Sequence, residues 1–395
     1  MRKGYKKSDI GIFPEDWDVK SYGDIFYFLK TATYSRAELT QIDDVKYVHY
    51  GDIHTRWNFY LDVSKNDLPG ISIEKAKGYS LLQNGDIIMA DASEDYSGIG
   101  KSVEVQNISD TKAIAGLHTF LFRDINGVFV DGYKAYLHSI ACVKKQFDEL
   151  ATGMKVYGVS KTNLKKVILP IPTKAEQTAI ATFLSDTDAL ITSLEKLLEK
   201  KRAIKQGVMH ELLEPKKGCD IRKVSEIGLV GRGRVISHKE ISRSIEGLFP
   251  VYSSQTSNNG IMGYLDTYDF DGEYITWTTD GENAGTVFYR NGKFNCTNVC
   301  GIIKIKNDNP KYLTYVLNKL TPQHVSKNLA NPKLMNEPMK QIEVPLPPIE
   351  HQNEISQTLH DIDYEIISLE GNLKKFKMLK QGMMQELLTG KTRLL

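Results

Sequence analysis

One block of 44 residues occurs twice in this chain of 395. Lys205-Gln206-Gly207-Val208-Met209-His210-Glu211-Leu212-Leu213 returns as Lys380-Gln381-Gly382-Met383-Met384-Gln385-Glu386-Leu387-Leu388, 175 positions later. The offset holds upstream without a gap. Pro170-Ile171-Pro172 maps onto Pro345-Leu346-Pro347, Gln177 onto Gln352, Asp188 onto Asp363, and Leu194-Glu195 onto Leu369-Glu370. From Pro170 to Leu213, 20 of 44 positions are identical, so the chain is an internal duplication.

Each copy reads as a long helix. Apolar residues recur at Ile180, Leu184, Ile191, Leu194 and Leu198, and again at Ile355, Leu359, Ile362, Ile366, Leu369 and Leu373. Steps of three and four predict a coiled-coil seam. The Pro-x-Pro ahead of each copy keeps the helix from starting earlier. A helix of about 38 residues spans roughly 57 Å, and two such helices bury their seams most simply against each other. A plain scaffold does not explain the matched ends: Lys205 and Lys380 fall on seam positions, and Gly207 and Gly382 each cost about 1 kcal/mol inside a helix. A segment that breaks its own rules twice in the same way is expected to face a partner. Lys205, Gln206, Gly207 and Met209, with Lys380, Gln381, Gly382 and Met384, are the partner-binding candidates.

The frame extends beyond the helices. Asp18 to Ile25 is echoed by Asp220-Ile221-Arg222-Lys223-Val224-Ser225-Glu226-Ile227, 202 positions on, and Glu214-Pro215-Lys216-Lys217-Gly218 is a polar breaker. The reading is globule (1–166), helix (167–214), globule (215–341), helix (342–395). The two globules begin alike, but their bodies do not align. A constant frame around divergent inserts places selectivity in the inserts. Asp86–Ala90, His118–Phe122, Tyr274–Thr278, Thr286–Arg290 and Val299–Lys304 read as strands, Asn291-Gly292 as a hairpin turn, and Tyr133–Leu150 and Tyr312–Leu320 as helical. The fold class is α+β with a pseudo-two-fold repeat.

Composition is that of an ordinary soluble chain, with a net charge of only +2. No apolar run nears the roughly 18 residues of a membrane span, and the basic N-terminus has no apolar stretch behind it, so a cytoplasmic location is expected. Cys142, Cys219, Cys296 and Cys300 fit no zinc spacing, and no metal or bound cofactor is expected. Gly98-Ile99-Gly100-Lys101-Ser102 resembles the end of a phosphate-binding loop, but Asp95 stands where the pattern needs glycine. A turn bringing Lys101 to a phosphate backbone and a plain hairpin turn are equally compatible with it. The same holds for Gly231-Arg232-Gly233-Arg234, a basic loop or a solvated turn. No catalytic constellation is present.

The second globule is rich in side chains that read base edges: Ser253 to Asn259, Trp277-Thr278-Thr279-Asp280 with Glu282-Asn283, and Asn295 to Asn298. From Cys219 to Gln341 there are 15 Lys/Arg against 12 Asp/Glu, enough for a modest basic face. Candidate DNA contacts are Arg232, Arg234, Ser254, Gln255, Asn258, Trp277, Thr279, Asp280, Asn283, Arg290, Asn298 and Lys333. In the first globule they are Arg56, Trp57, Tyr96, Lys101, Lys155 and Tyr157.

Over its whole length the chain resembles the DNA-specificity subunit of a type I restriction–modification system. The carriers are Pro170-Ile171-Pro172 with Glu176-Gln177 and Ile180, Pro345-Leu346-Pro347-Pro348 with Gln352 and Ile355, and the twin Lys-Gln-Gly-x-Met-x-Glu-Leu-Leu ends. Gly11 to Trp17, Val159-Ser160 and Pro332 to Met335 add to them. The resemblance implies two target-recognition domains at opposite ends of an antiparallel helix pair, each reading half of a split site in double-stranded DNA. Two modification subunits, using S-adenosylmethionine, would methylate adenine after base flipping. A restriction subunit, where present, would cut and translocate with ATP and Mg. The chain itself is then not an enzyme. A coiled-coil scaffold whose globules bind protein is the alternative. A self-sufficient methyltransferase is disfavoured, because neither Asn-Pro-Pro-aromatic nor Asp-Pro-Pro-Tyr occurs.

Overall fold

The computed structural model describes residues 4–95, 98–153, 157–216, 218–326 and 331–394. They form two compact units, Met1–Leu194 with Asn372–Leu395, and Glu195–Gly371. The boundary falls inside both long helices, Lys174–Leu212 and Ile349–Leu387, each of 39 residues. The first helix starts beyond Pro172, with the Thr173 carbonyl accepting from Gln177 N–H; the second starts beyond Pro348, whose carbonyl accepts from Gln352 N–H. Proline offers no N–H to extend either helix backwards. The second ends at Gly390, whose φ of +67° suits a left-handed cap.

The strands of unit 1 are β1 (Tyr5–Ser8), β2 (Gly11–Pro14), β3 (Asp18–Ser21), β4 (Tyr27–Leu29), β5 (Val45–Val48), β6 (Tyr60–Asp62) and β7 (Gly70–Ile71). They continue as β8 (Ile87–Ala90), β9 (Ala92–Ser93), β10 (Ser102–Gln106), β11 (Ala113–Ala115), β12 (Thr119–Arg123), β13 (Tyr157–Gly158) and β14 (Ile168–Ile171). The main sheet has the order β4-β12-β8-β10-β6, and a smaller one β11-β5-β7. Met89, Ile87 and Phe122 carry one face onto a core with Tyr22, Tyr133, Tyr136 and Phe147. Both long helices enter that core, through Ile180 and Leu184 and through Leu387 and Leu388. Lys134–Ser139 is a 3-10 turn and Ala141–Leu150 an α-helix, so the predicted helical stretch is broken at extended Ile140.

Unit 2 holds β15 (Asp220–Lys223), β16 (Gly228–Arg232), β17 (Phe249–Tyr252), β18 (Ile261–Leu265), β19 (Tyr274–Thr278), β20 (Val287–Arg290), β21 (Asn295–Cys296), β22 (Cys300–Ile305) and β23 (Glu343–Leu346). Its sheets have the orders β16-β22-β19-β20 and β18-β17-β21. Trp277, Ile303, Tyr312, Val316, Leu334 and Val344 fill its core, with Leu213 and Leu359 from the helices. The chain bends at Gly292, with φ +94°, but Asn291-Gly292 does not close the predicted hairpin. Strand β20 pairs with β19 across residues 279–286, whereas Gly292 and Phe294 exchange bonds with Gly272 and Phe270.

The globule bodies that fail to align in sequence share one topology. Strands β4, β12, β8 and β10 correspond in order and antiparallel pairing to β16, β22, β19 and β20. In the small sheets, β5 pairs in parallel with β11 and antiparallel with β7, as β17 does with β21 and β18. The frame repeats to the residue: Val19 stands opposite Pro170 and Ile221 opposite Pro345.

Within each unit the two long helices run antiparallel. In unit 1, Asp188 meets Lys380 and, past the end of the second helix, Glu176 meets Arg393. In unit 2, Arg202 meets Glu370 at 2.6 Å and Lys205 meets Asp363 at 2.5 Å.

Candidate nucleic-acid interface

In unit 2 the three polar clusters converge on one end of the main sheet. Strands β19 and β20 are joined by 279–286, β17 runs into 253–260, and β21 and β22 are joined by 297–299. Thr279 Oγ1 donates to the Val299 carbonyl at 2.9 Å, and Asn283 Nδ2 donates to Thr256 Oγ1 at 3.2 Å. Lys333 Nζ lies 3.4 Å from Asp280, and Gly281 N–H donates to the Pro332 carbonyl at 3.1 Å. Asn258 and Asn259 adopt left-handed φ of 48° and 53°, a conformation that asparagine tolerates and bulkier residues resist. Asn258, Asn259, Asn283 and Asn298 are exposed on this rim, Asp280 and Lys333 partly so, and Ser254 is half-buried. Amide and carboxylate groups of this kind can bond base edges.

The structure gives other candidates internal work. Trp277 is buried and donates its indole N–H to the Leu334 carbonyl at 2.8 Å. Thr279 is buried. Gln255 donates its amide to the Ile261 carbonyl. Arg290 is 3% exposed, lies 3.7 Å from the Tyr252 ring centre, and braces the Asn259 carbonyl at 2.9 Å. The Gly231–Arg234 stretch is neither basic loop nor solvated turn. Through Arg232 it is strand β16, and Gly233 passes so close to the Cys296 carbonyl that a Cβ would stand 2.0 Å from it. Arg232 bonds Asn336 at 3.0 Å, and Arg234 is held between Glu240 (2.6 Å) and Asp269 (3.0 Å).

The same end of the sheet in unit 1 is found by topology. Asp91 N–H bonds the His118 carbonyl as Thr279 N–H bonds that of Val299. There Tyr50, His54, Ser93, Asp95, Lys101 and His118 line a concavity of about 820 Å³. His118 Nδ1 lies 3.3 Å from Asp91, whose carboxyl burial pushes upward in pKa. Lys101 is half-buried, donates to the His54 carbonyl at 2.8 Å, and is shifted down by burial. Trp57 is buried, bonded to Asn66 at 2.8 Å, with Arg56 over its ring. Tyr157 lies in β13, paired with β9. Tyr96 and Lys155 lie outside the described residues. Sequence reasoning missed Tyr50, His54 and His118: Tyr50 and His54 have a local signal in the polar run after β5, whereas His118 stands at the head of a stretch that reads as a strand.

At the helix ends, Lys205 and Lys380 are engaged with Asp363 and Asp188. Met209 and Met384 pack partly on the two cores. Gln206, Gln381, Gly207 and Gly382 are exposed, and a Cβ added at either glycine meets nothing within 4 Å. Among the described residues, no group of three His, Cys, Asp or Glu could hold a metal, and no helix is long and apolar enough to cross a membrane.

Residues 14–206 and 216–376 match the type I restriction modification DNA specificity domain. The chain belongs to that family. A type I specificity subunit of Mycoplasma pneumoniae is 37% identical over 203 residues, covering 50% of this chain and 75% of that protein. The specificity subunit of the type I restriction enzyme MpnII, from the same organism, is 45% identical over 139 residues, 35% of this chain and 42% of its own. Two further M. pneumoniae relatives, 51% and 41% identical, are spanned over 66% and 42% of their lengths. The S subunit of a type I system from M. genitalium shares the fold, with a TM-score of 0.62 at 15% identity over 94% of this chain and 96% of that one.

Proposed function

We propose that this type I specificity chain is non-catalytic, that each unit reads one half of a split target in double-stranded DNA, and that the chain directs adenine methylation by two modification subunits. The observation that carries this is the repetition of one strand order in both units, with unrelated polar loops at the same end of each main sheet. The long helices, as an antiparallel coiled coil, set the gap between the halves. S-adenosylmethionine belongs to the modification subunits; ATP and Mg belong to a restriction and translocase subunit that can join them. The base contacts fall to Asp280, Asn283, Asn258, Asn298 and Lys333 in unit 2, and to the Tyr50, His54 and His118 concavity in unit 1. A soluble, cytoplasmic assembly follows from this role.

The test is methylation mapping of DNA from cells carrying this chain and its modification subunit. A split motif with a fixed gap, methylated on adenine in both halves and lost when this chain alone is deleted, is the expected result. The absence of any motif, with the modification subunit expressed, overturns the reading in favour of a protein-binding scaffold.

A further inference from the structure

The duplication makes the two units comparable residue by residue, and at one place they differ. In unit 1, Trp17 is fully buried. Its Nε1–H donates to Glu176 Oε2 at 2.8 Å, and its ring stacks on Phe13 with centroids 5.9 Å apart. Its edge lies 3.1 Å from where a Cβ on Gly390 would stand. Arg393 closes the seat, reaching Glu176 at 2.6 Å and Asp16 at 2.8 Å.

The counterpart of Glu176 is His351 and that of Gly390 is Pro215, both by the offset of 175; the counterpart of Trp17, by the offset of 202, is Cys219. All three line a groove of about 490 Å³ in unit 2, walled by Pro345, Pro347 and Ile355. Those walls are the counterparts of Pro170, Pro172 and Ile180. The seat that unit 1 fills with an indole, unit 2 leaves open, because a thiol stands in place of the large ring. The volume falls within the roughly 300–1,000 Å³ of binding pockets. On the rim Glu214 is tied to Lys319 at 2.7 Å, leaving Lys216 and His351 against Glu354.

We propose that this groove docks a partner protein through an aromatic side chain on an extended, acid-flanked segment. That is the chemistry of Glu15-Asp16-Trp17-Asp18, which fills the matching seat in unit 1. The aromatic ring lies on the proline wall, as aromatic rings bury large areas at interfaces. An indole N–H donates to the imidazole of His351, as that of Trp17 does to Glu176, and the flanking acid meets Lys216.

The test uses the full chain and a synthetic peptide of residues 10–20 as the probe. Saturable one-to-one binding is expected, weakened at least tenfold in the peptide carrying Trp17→Ala. Bound peptide slows alkylation of Cys219 while leaving that of Cys142 unchanged. In the chain, Cys219→Trp fills the seat from within and abolishes binding. Absence of saturable binding, or binding that leaves the Cys219 alkylation rate unchanged, overturns the proposal whether or not the variant folds.

Discussion

Lys380 donates its ammonium to the carboxylate of Asp188 in unit 1, and Lys205 meets Asp363 in unit 2. The second pair is the first with both partners exchanged between the repeats, since Lys205 matches Lys380 and Asp188 matches Asp363. A tyrosine from each globule joins in: Tyr136 donates to Asp188 at 3.3 Å, and Tyr315 to Asp363 at 2.7 Å. Lys380 also lies 4.0 Å from the Phe59 ring centre. The repeated lysine, anomalous as a seam residue, thus fastens helix to helix and helix to globule.

Asp188→Asn leaves Lys380 nearly buried without a counter-charge. Breaking fully buried pairs costs about 3–5 kcal/mol; Asp188 keeps a third of its surface in water, so roughly 2–3 kcal/mol is expected. Asp363→Asn costs less, because both partners there are more evenly exposed. Urea unfolding measures both. Equal losses would show that burial does not set the scale.

Asn283→Ala and Asn298→Ala are expected to relax selectivity in one half of the target only. A bidentate base contact is worth about 1–3 kcal/mol of discrimination, and mapping of the methylated motif reads the change. Arg290→Ala is expected to behave differently. It removes a buried, stacked brace of the Asn259 carbonyl and lowers the melting temperature, whatever the DNA sequence.

Stability of unit 1 is expected to fall on both sides of a middle pH. His138 is buried between the Gly100 carbonyl and Tyr22, and burial lowers its pKa from 6.5 to about 4. Its contribution is therefore full above 6.5 and lost as pH falls through about 4. Glu104 is buried while accepting from Gly132 and Ala135 N–H, and burial raises its pKa from 4.5 to about 7. Its contribution is full below 4.5 and lost as pH rises through about 7. Each shift corresponds to roughly 3 kcal/mol. Melting curves against pH should lose the acid limb in His138→Asn and the alkaline limb in Glu104→Gln.

Gly207→Ala and Gly382→Ala meet open space, so each should stabilise the isolated chain by up to about 1 kcal/mol. If a partner approaches at these glycines, the same substitutions weaken its binding. Thermal melts and co-purification with the modification subunit separate the two effects.

The frame was legible because a repeat announces itself: Pro170, Pro345 and the twin helix ends fixed both helices and their starts. The polar loops at the ends of the main sheets were less so. Trp277, Thr279 and Arg290 carry side chains that could read bases, and only packing shows them turned inward. Arg234 looked basic in a row of letters, but Glu240 and Asp269 reach it from elsewhere in the chain. Tyr50, His54 and His118 went unseen because strand order, not sequence, aligns unit 1 with unit 2.

The division of both long helices between the units has a consequence for the order of assembly. Unit 1 is built from the first 194 residues and from residues 372–395, and Leu387, Leu388 and Lys380 complete it. Its strands all fall between Tyr5 and Ile171, yet its core stays open until Leu387 and Leu388 reach it. Unit 2 is contiguous, from Glu195 to Gly371, and the core described above lies within that span. The N-terminal body therefore closes only when two pieces of chain separated by all of unit 2 are brought together, and a chain cut after Gly371 keeps the residues of one globule while leaving the other unsealed.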